Sequence, residues 1–334
     1  MISRITTVEM HTGGEPLRII TDGVPVPDGR TLLEKRAFLR DYADHYRQFL
    51  MFEPRGHRDM YGALLVPADH PDADLAVIFL HNEGYSTMCG HAIIALGRYA
   101  LDYGLVVKNT EETKVNIQCP CGLVTAYVKT EDGVTGAVRF ESVPAFAVAL
   151  GTYVETPDYG PVEIDIGYGG AFYALLDAAT IGLDVRRSTT ADLVRAATQI
   201  SEAVKKQIPI THPEAEDLGY LYGTILTDGG DGATGAASAN ICVFADAQVD
   251  RSPTGSGVTA RLAVAAARKT AQAGEIYQFE SVTGSIFTGK IMRATKVGPY
   301  NAVTVEVAGQ AYYCGTAEFT AEDGDTLAGG FLLR

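Results

Sequence analysis

The chain has 334 residues, room for two domains of ordinary size, and its 46% hydrophobic and 20% charged residues supply enough apolar material for two packed cores. A net charge of −14 with no dense Lys/Arg run excludes the basic face that nucleic-acid binding needs. No run of about 20 apolar residues predicts a membrane helix, and the opening Met1-Ile2-Ser3-Arg4-Ile5 lacks the apolar stretch of a signal peptide. The odd set of cysteines, Cys89, Cys119, Cys121, Cys242 and Cys314, then reads as free thiols in a cytoplasmic protein.

From the N-terminus, residues 5–10 alternate and predict a strand, followed by a Gly/Pro-rich turn over 11–16 and a second strand over 17–20. Residues 31–50 carry helical periodicity, with Thr31 or Asp28 as cap. A buried strand is expected over 75–80, a polar loop over 81–87, and a helix over 90–104 whose apolar positions include Ala92, Ile93, Ala95, Leu96 and Tyr99. Cys89 then stands at or just before a helix N-terminus. Strand-like runs separated by Pro and Gly fill 113–150, and a helix is predicted over 191–206. Two strands, 223–227 and 240–244, flank a Gly/Asp-rich loop over 228–235. The segment 248–257 leads into an Ala-rich helix over 258–273, and short strands occupy 276–313. The class is α+β.

Two elements look alike. Cys89-Gly90-His91 opens one helix and Thr254-Gly255-Ser256 opens another, almost half a chain apart. That placement predicts duplicated domains facing each other across a cleft. A helix N-terminus offers unpaired N–H groups and the positive end of the helix dipole, so it binds anions and favours a thiolate. Two such ends aimed at one cleft could hold a carboxylate, with Cys89 approaching the α-carbon from one face and Thr254 lying on the other. In a dry site this arrangement suits removal of an α-proton without a cofactor.

Other features read as structural. Cys242 lies inside an apolar strand. Cys119-Pro120-Cys121 has no second pair nearby, whereas a zinc site wants about four ligands. Cys314 and His11 are read as structural and loop-fixing, respectively. The loop beginning Asp228-Gly229-Gly230-Asp231-Gly232 lacks the spacing and closing Glu of a calcium loop. The glycine-rich segments form no dinucleotide fingerprint.

At several motifs the sequence resembles the proline racemase family. They are Met10-His11-Thr12-Gly13-Gly14-Glu15-Pro16, Pro54-Arg55-Gly56-His57-Arg58-Asp59-Met60-Tyr61-Gly62 and Met88-Cys89-Gly90-His91, then Gly169-Gly170-Ala171-Phe172-Tyr173, Asp250-Arg251-Ser252-Pro253-Thr254-Gly255-Ser256-Gly257 and Gly284-Ser285-Ile286-Phe287. The resemblance implies a diaminopimelate-epimerase-like fold: two similar domains, each with strands wrapped around a central helix, and the active site between them. It places residues 1–157 with 303–334 in a first domain carrying Cys89, and 158–302 in a second carrying Thr254. It implies no metal or organic cofactor, a small-molecule substrate and a homodimer.

In the family's racemases and 4-hydroxyproline epimerases a second Cys follows Asp-Arg-Ser-Pro. Here that position is Thr254, as in its trans-3-hydroxy-L-proline dehydratases, and Ser256 stands where Thr is common. The resemblance thus implies dehydration of trans-3-hydroxy-L-proline, through Δ2-pyrroline-2-carboxylate to Δ1-pyrroline-2-carboxylate, with proline as a weak ligand. The alternative is a proline racemase or 4-hydroxyproline 2-epimerase. Cys89 would be the acid/base and Thr254 its partner, contacting the substrate ring or carboxylate without transferring protons. Asp250 would accept from the ring nitrogen, and Gly90, Gly255 and Ser256 would offer N–H groups to the carboxylate. His91 would contribute a backbone N–H, its side chain, or both. His57 and Asp59 would lie near the pocket.

Overall fold

The structure, a computed structural model, describes residues 4–109, 111–233 and 235–333. It divides into two compact units, Met1–Val138 with Gln310–Arg334, and Arg139–Gly309. In chain order the first unit has β1 (Ile5–Thr12), β2 (Glu15–Asp22), α1 (Leu32–Tyr42), α2 (His45–Met51), β3 (Tyr61–Val66), β4 (Leu75–His81), α3 (Gly90–Asp102), β5 (Glu112–Cys119) and β6 (Gly122–Glu131), and β7 (Val134–Glu141) crosses the boundary. The second has β8 (Ala145–Thr156), β9 (Gly160–Tyr168), β10 (Phe172–Asp177), α4 (Thr190–Gln207), β11 (Leu221–Thr227), β12 (Ser238–Phe244), β13 (Gln248–Asp250), α5 (Gly255–Arg268), β14 (Ile276–Glu280), β15 (Ile286–Val297) and β16 (Tyr300–Gly309). The chain ends in the first unit with β17 (Ala311–Phe319).

In the first unit β1 pairs antiparallel with both β17 and β2, and the sheet continues through β3, β4, β5 and β6. The expected turn over 11–16 shrinks to Gly13-Gly14, because the strands pair up to Thr12 opposite Glu15. α3 packs on β1, β2, β5, β6 and β17. Its sequence Gly-His-Ala-Ile-Ile-Ala-Leu-Gly-Arg-Tyr-Ala-Leu-Asp is apolar nearly all round, so it is stable only when surrounded, and all but Arg98 and Asp102 are buried. Gly97 lets the strands close in, since a Cβ there would lie 3.2 Å from Val138 Cγ1 and 3.3 Å from Val128 Cγ2. The helix predicted over 31–50 is broken at Ala43-Asp44 into α1 and α2. Thr31, rather than Asp28, caps α1 in a reciprocal box with Glu34.

In the second unit the strands run β8-β9-β10-β11-β12-β14-β15-β16, and β16 pairs back to β8 through Ala302↔Phe146 and Val303↔Ala145. This closes a barrel. α5 packs against β8, β9, β10, β15 and β16, so the barrel wraps it. α4 buries Leu193, Ala196, Ile200 and Val204 in a core shared with Phe146, Ile164, Phe172 and Ile241. The unit boundaries differ from the expected 157/158 and 302/303. Those cuts would separate β8 from β9 and split β16, opening the barrel, so β8 and β16 belong wholly to the second unit. No helix among the described residues is long and apolar enough to cross a membrane.

Candidate active site

The predicted residues fall into two sets, one at each wrapped helix. Cys89 is the N-cap of α3, with extended backbone (φ −149°, ψ 104°), and its side chain makes no capping bond. Thr254 is the N-cap of α5, also without a side-chain cap. By contrast, Thr31 and Thr189 cap α1 and α4 through their hydroxyls. At the two wrapped helices the N-cap side chains are thus released for other work, with Gly90 and Gly255 as the first helical residues.

In the first unit the Cys89 Sγ lies 3.1 Å from His91 Nδ1, and His91 Nε2 lies 3.2 Å from the Pro16 carbonyl oxygen. Burial pushes the imidazole from 6.5 down to about 3, opposed by its bond to Pro16, so His91 is neutral over the ordinary pH range. A carbonyl oxygen can only accept, so Nε2 carries the hydrogen. In a neutral ring Nδ1 is then an acceptor, and the Cys89 S–H donates to it. The Thr12 hydroxyl donates to the His91 carbonyl at 2.9 Å, and Tyr61 meets the imidazole edge-on with centroids 4.9 Å apart.

In the second unit Asp250 ends β13 opposite Cys242, and its Oδ1 accepts the Ser252 N–H at 2.8 Å. Burial pushes its carboxyl from 3.8 up to about 6, partly offset by the Ser252 and Thr254 hydroxyls and the Ser252 N–H. The Thr254 N–H donates to Ser252 Oγ at 3.1 Å. The Thr254 Oγ1 is buried near that carboxyl but makes no hydrogen bond of normal geometry with the described residues. Thr254 also has φ 67°, a left-handed backbone that a β-branched residue adopts only under strain of about 1–3 kcal/mol. Ser256 Oγ shares a 2.7 Å hydrogen bond with the buried Tyr173 hydroxyl. Gly169 is required beside it: a Cβ there would lie 2.2 Å from the Ser256 carbonyl oxygen.

Other predicted residues lie elsewhere. His57 is exposed and lines a 360 Å³ cavity with Met10, His11, Pro16 and Cys314. Asp59 has φ 67° and donates its N–H to Asn82 Oδ1 at 2.7 Å. Cys121 anchors the β5–β6 turn through its N–H to the Thr87 carbonyl at 3.1 Å, and burial pushes its thiol up to about 12. Among the described residues no group of three or more His, Cys, Asp or Glu side chains is placed to hold a metal ion. Sequence reasoning assigned no role to Thr12, Pro16, Tyr173 or Ser252. Each lies inside a motif already noted, so the motif was the available signal, but only the folded backbone shows which atoms it aims.

A family model described as Proline racemase matches residues 7–332. The chain belongs to the proline racemase family. Within that family, the Trans-L-3-hydroxyproline dehydratase of Xenopus tropicalis is 58% identical, over 99% of this chain and 95% of the relative. The Trans-3-hydroxy-L-proline dehydratase of Burkholderia cenocepacia (strain HI2424) is 45% identical, over 100% of this chain and 99% of the relative. A hydroxyproline epimerase from Agrobacterium vitis, solved with bound trans-4-OH-L-proline, superposes with a TM-score of 0.93 at 28% identity, covering 100% of this chain and 96% of that one. This likeness carries the strand-rich, two-unit proline racemase fold over the whole chain.

Proposed function

We propose that this protein is a hydro-lyase that dehydrates trans-3-hydroxy-L-proline, with Cys89 as its acid/base. The observation that carries the reading is the 58% identity to a dehydratase over nearly the full chain, with a thiol at only one of the two wrapped helix starts. The reading takes the two units as a diaminopimelate-epimerase-like pair, with the substrate between Cys89 and Thr254. Gly90, Gly255 and Ser256 offer backbone N–H groups to its carboxylate, and Asp250 accepts from its ring nitrogen.

Racemisation needs an acid/base on each face of the α-carbon. A Thr hydroxyl is too weak an acid and base for that task. Elimination needs only one face here, because the α-hydrogen and the 3-hydroxyl of trans-3-hydroxy-L-proline are cis. Cys89 acts as a thiolate, the form favoured at a helix N-terminus, and removes the α-proton, while His91 stays neutral. The electron pair of the Cα–H bond forms the Cα–Cβ double bond as the C3–O bond breaks. The thiol now on Cys89 protonates the departing hydroxide, so water leaves. That proton transfer regenerates the Cys89 thiolate. The product, Δ2-pyrroline-2-carboxylate, tautomerises to Δ1-pyrroline-2-carboxylate. The deciding experiment is a panel of 3- and 4-hydroxyproline isomers with chemical detection of the pyrroline. Pyrroline from the trans-3-hydroxy isomer is expected; activity on 4-hydroxyprolines alone would overturn the reading.

A further inference from the structure

We propose that the β1–β2 hairpin is a clasp that fixes the tautomer of His91, and so the direction of the Cys89 S–H, with Thr12 as its positioning residue. The proposal rests on the reading of Cys89 as the acid/base. It gives a function to the motif Met10 to Pro16, which the reaction itself leaves unused.

The hairpin is unusually determined at its tip. Thr12 pairs with Glu15, and the two-residue turn Gly13-Gly14 has φ 62° and 90°, the mirror-image turn that only residues tolerant of positive φ can build. The Gly14 N–H donates to His11 Nδ1 at 3.2 Å, and the His11 ring stacks on Tyr312 of β17 with centroids 5.5 Å apart. The tip therefore has one shape and a fixed anchor.

From that shape two groups reach His91. Thr12, fully buried, donates its hydroxyl to the His91 carbonyl, which ties β1 to the first turn of α3. Pro16, with φ locked by its ring, presents its carbonyl to His91 Nε2. Were the hydrogen on Nδ1 instead, the Nε2 lone pair would face the carbonyl lone pairs in a buried setting, and Nδ1 could no longer accept from Cys89. The hairpin thus selects the Nε2–H tautomer, as an orienting partner does for a catalytic or metal-bound imidazole. Tyr61, edge-on to the ring, restricts its rotation.

The test is ¹⁵N NMR of the full chain labelled at histidine, with the His91 signals identified by their loss in His91→Asn. The wild type is expected to show a single neutral Nε2–H tautomer; an Nδ1–H tautomer would overturn the proposal outright. Thr12→Val removes the hydroxyl at constant shape. It is expected to give a mixture of tautomers, to lower kcat by about tenfold with KM unchanged, and to shift the pH profile of kcat. Thr12→Ser should restore all three. A folded Thr12→Val protein with one tautomer and full kcat would also sink the idea. If Thr12→Val does not fold, the wild-type tautomer decides alone. A wild type with the Nε2–H tautomer but no turnover of trans-3-hydroxy-L-proline would leave the clasp standing and remove the functional reading.

Discussion

The starts of α3 and α5 are built alike and equipped differently. Both helices are wrapped by strands, both lack a side-chain cap, and both have Gly as first residue. At α3 the buried base is an imidazole pushed towards neutrality from above, joined to a thiol. At α5 it is a carboxyl pushed towards neutrality from below, close to a hydroxyl that cannot serve as a base. Burial suppresses charge in both places, yet only α3 carries a thiol at its start. Two helix starts of the same build thus carry different side-chain chemistry. If the proposed reading holds, the side chain at position 254 sets whether the second face of the substrate can be worked.

The largest effect should come from removing the thiol. Cys89→Ser is expected to lower kcat for pyrroline formation by roughly 10²–10⁴-fold, the usual span of one acid/base group, measured by chemical trapping of the product. The asymmetry between the two starts can also be removed at α5. Thr254→Cys makes the two starts chemically alike, and in heavy water it should place deuterium at Cα of L-proline with inversion, which the wild type should not do. Exchange with retention alone in this variant would mean that position 254 does not reach the second face.

Packing at α5 gives a smaller effect. Gly169→Ala sets a Cβ 2.2 Å from the Ser256 carbonyl oxygen and 2.6 Å from the Ala260 nitrogen, and should cost about 1–3 kcal/mol in denaturant melts. Gly136→Ala, whose Cβ meets nothing nearer than 3.7 Å, should stay within about 0.5 kcal/mol.

The smallest effect per step is in the pH dependence of stability. His91 has its value lowered from 6.5 to about 3 on folding, so its contribution is complete above 6.5 and is lost as pH falls towards 3. Asp250 is raised from 3.8 to about 6, so its contribution is present below 3.8 and is lost as pH rises through 6. Between 3.8 and about 6 the two slopes oppose each other. Asp250→Asn should make stability rise with pH there by at most about 1.4 kcal/mol per unit, and His91→Asn should make it fall. Parallel curves for the two variants would mean that one of these groups is not buried as described.

Much of the fold could be read from local pattern. The continuous apolar run of β4 and the all-round apolar α3 could be stable only if buried, and they are. Less was legible where pairing decides. β9 alternates Val162-Glu163-Ile164-Asp165-Ile166 and β10 is a continuous apolar run, so each carries a strand signal, but their pairing with β8 and β11 exists only in the folded barrel. The Ala-rich run over 258–273 belongs to a helix that starts at Gly255, where the Thr254-Gly255-Ser256 element placed its opening, and that ends at Arg268. At the candidate site, the identities of Cys89, His91, Asp250 and Thr254 stood out in their motifs. Thr12, Pro16 and Tyr173 did not, since two of them act through bonds to distant residues and Pro16 through its backbone carbonyl.

By itself, the sequence determined that the protein has two helix starts with a thiol at one and a hydroxyl at the other, because side-chain chemistry is written residue by residue. The tertiary structure decided the protonation and aim of those groups: a neutral His91 held by the Pro16 carbonyl, and an Asp250 carboxyl raised to about 6. Both follow from desolvation and from hydrogen bonds between residues far apart in the chain, and neither exists until strands from distant segments close around α3 and α5.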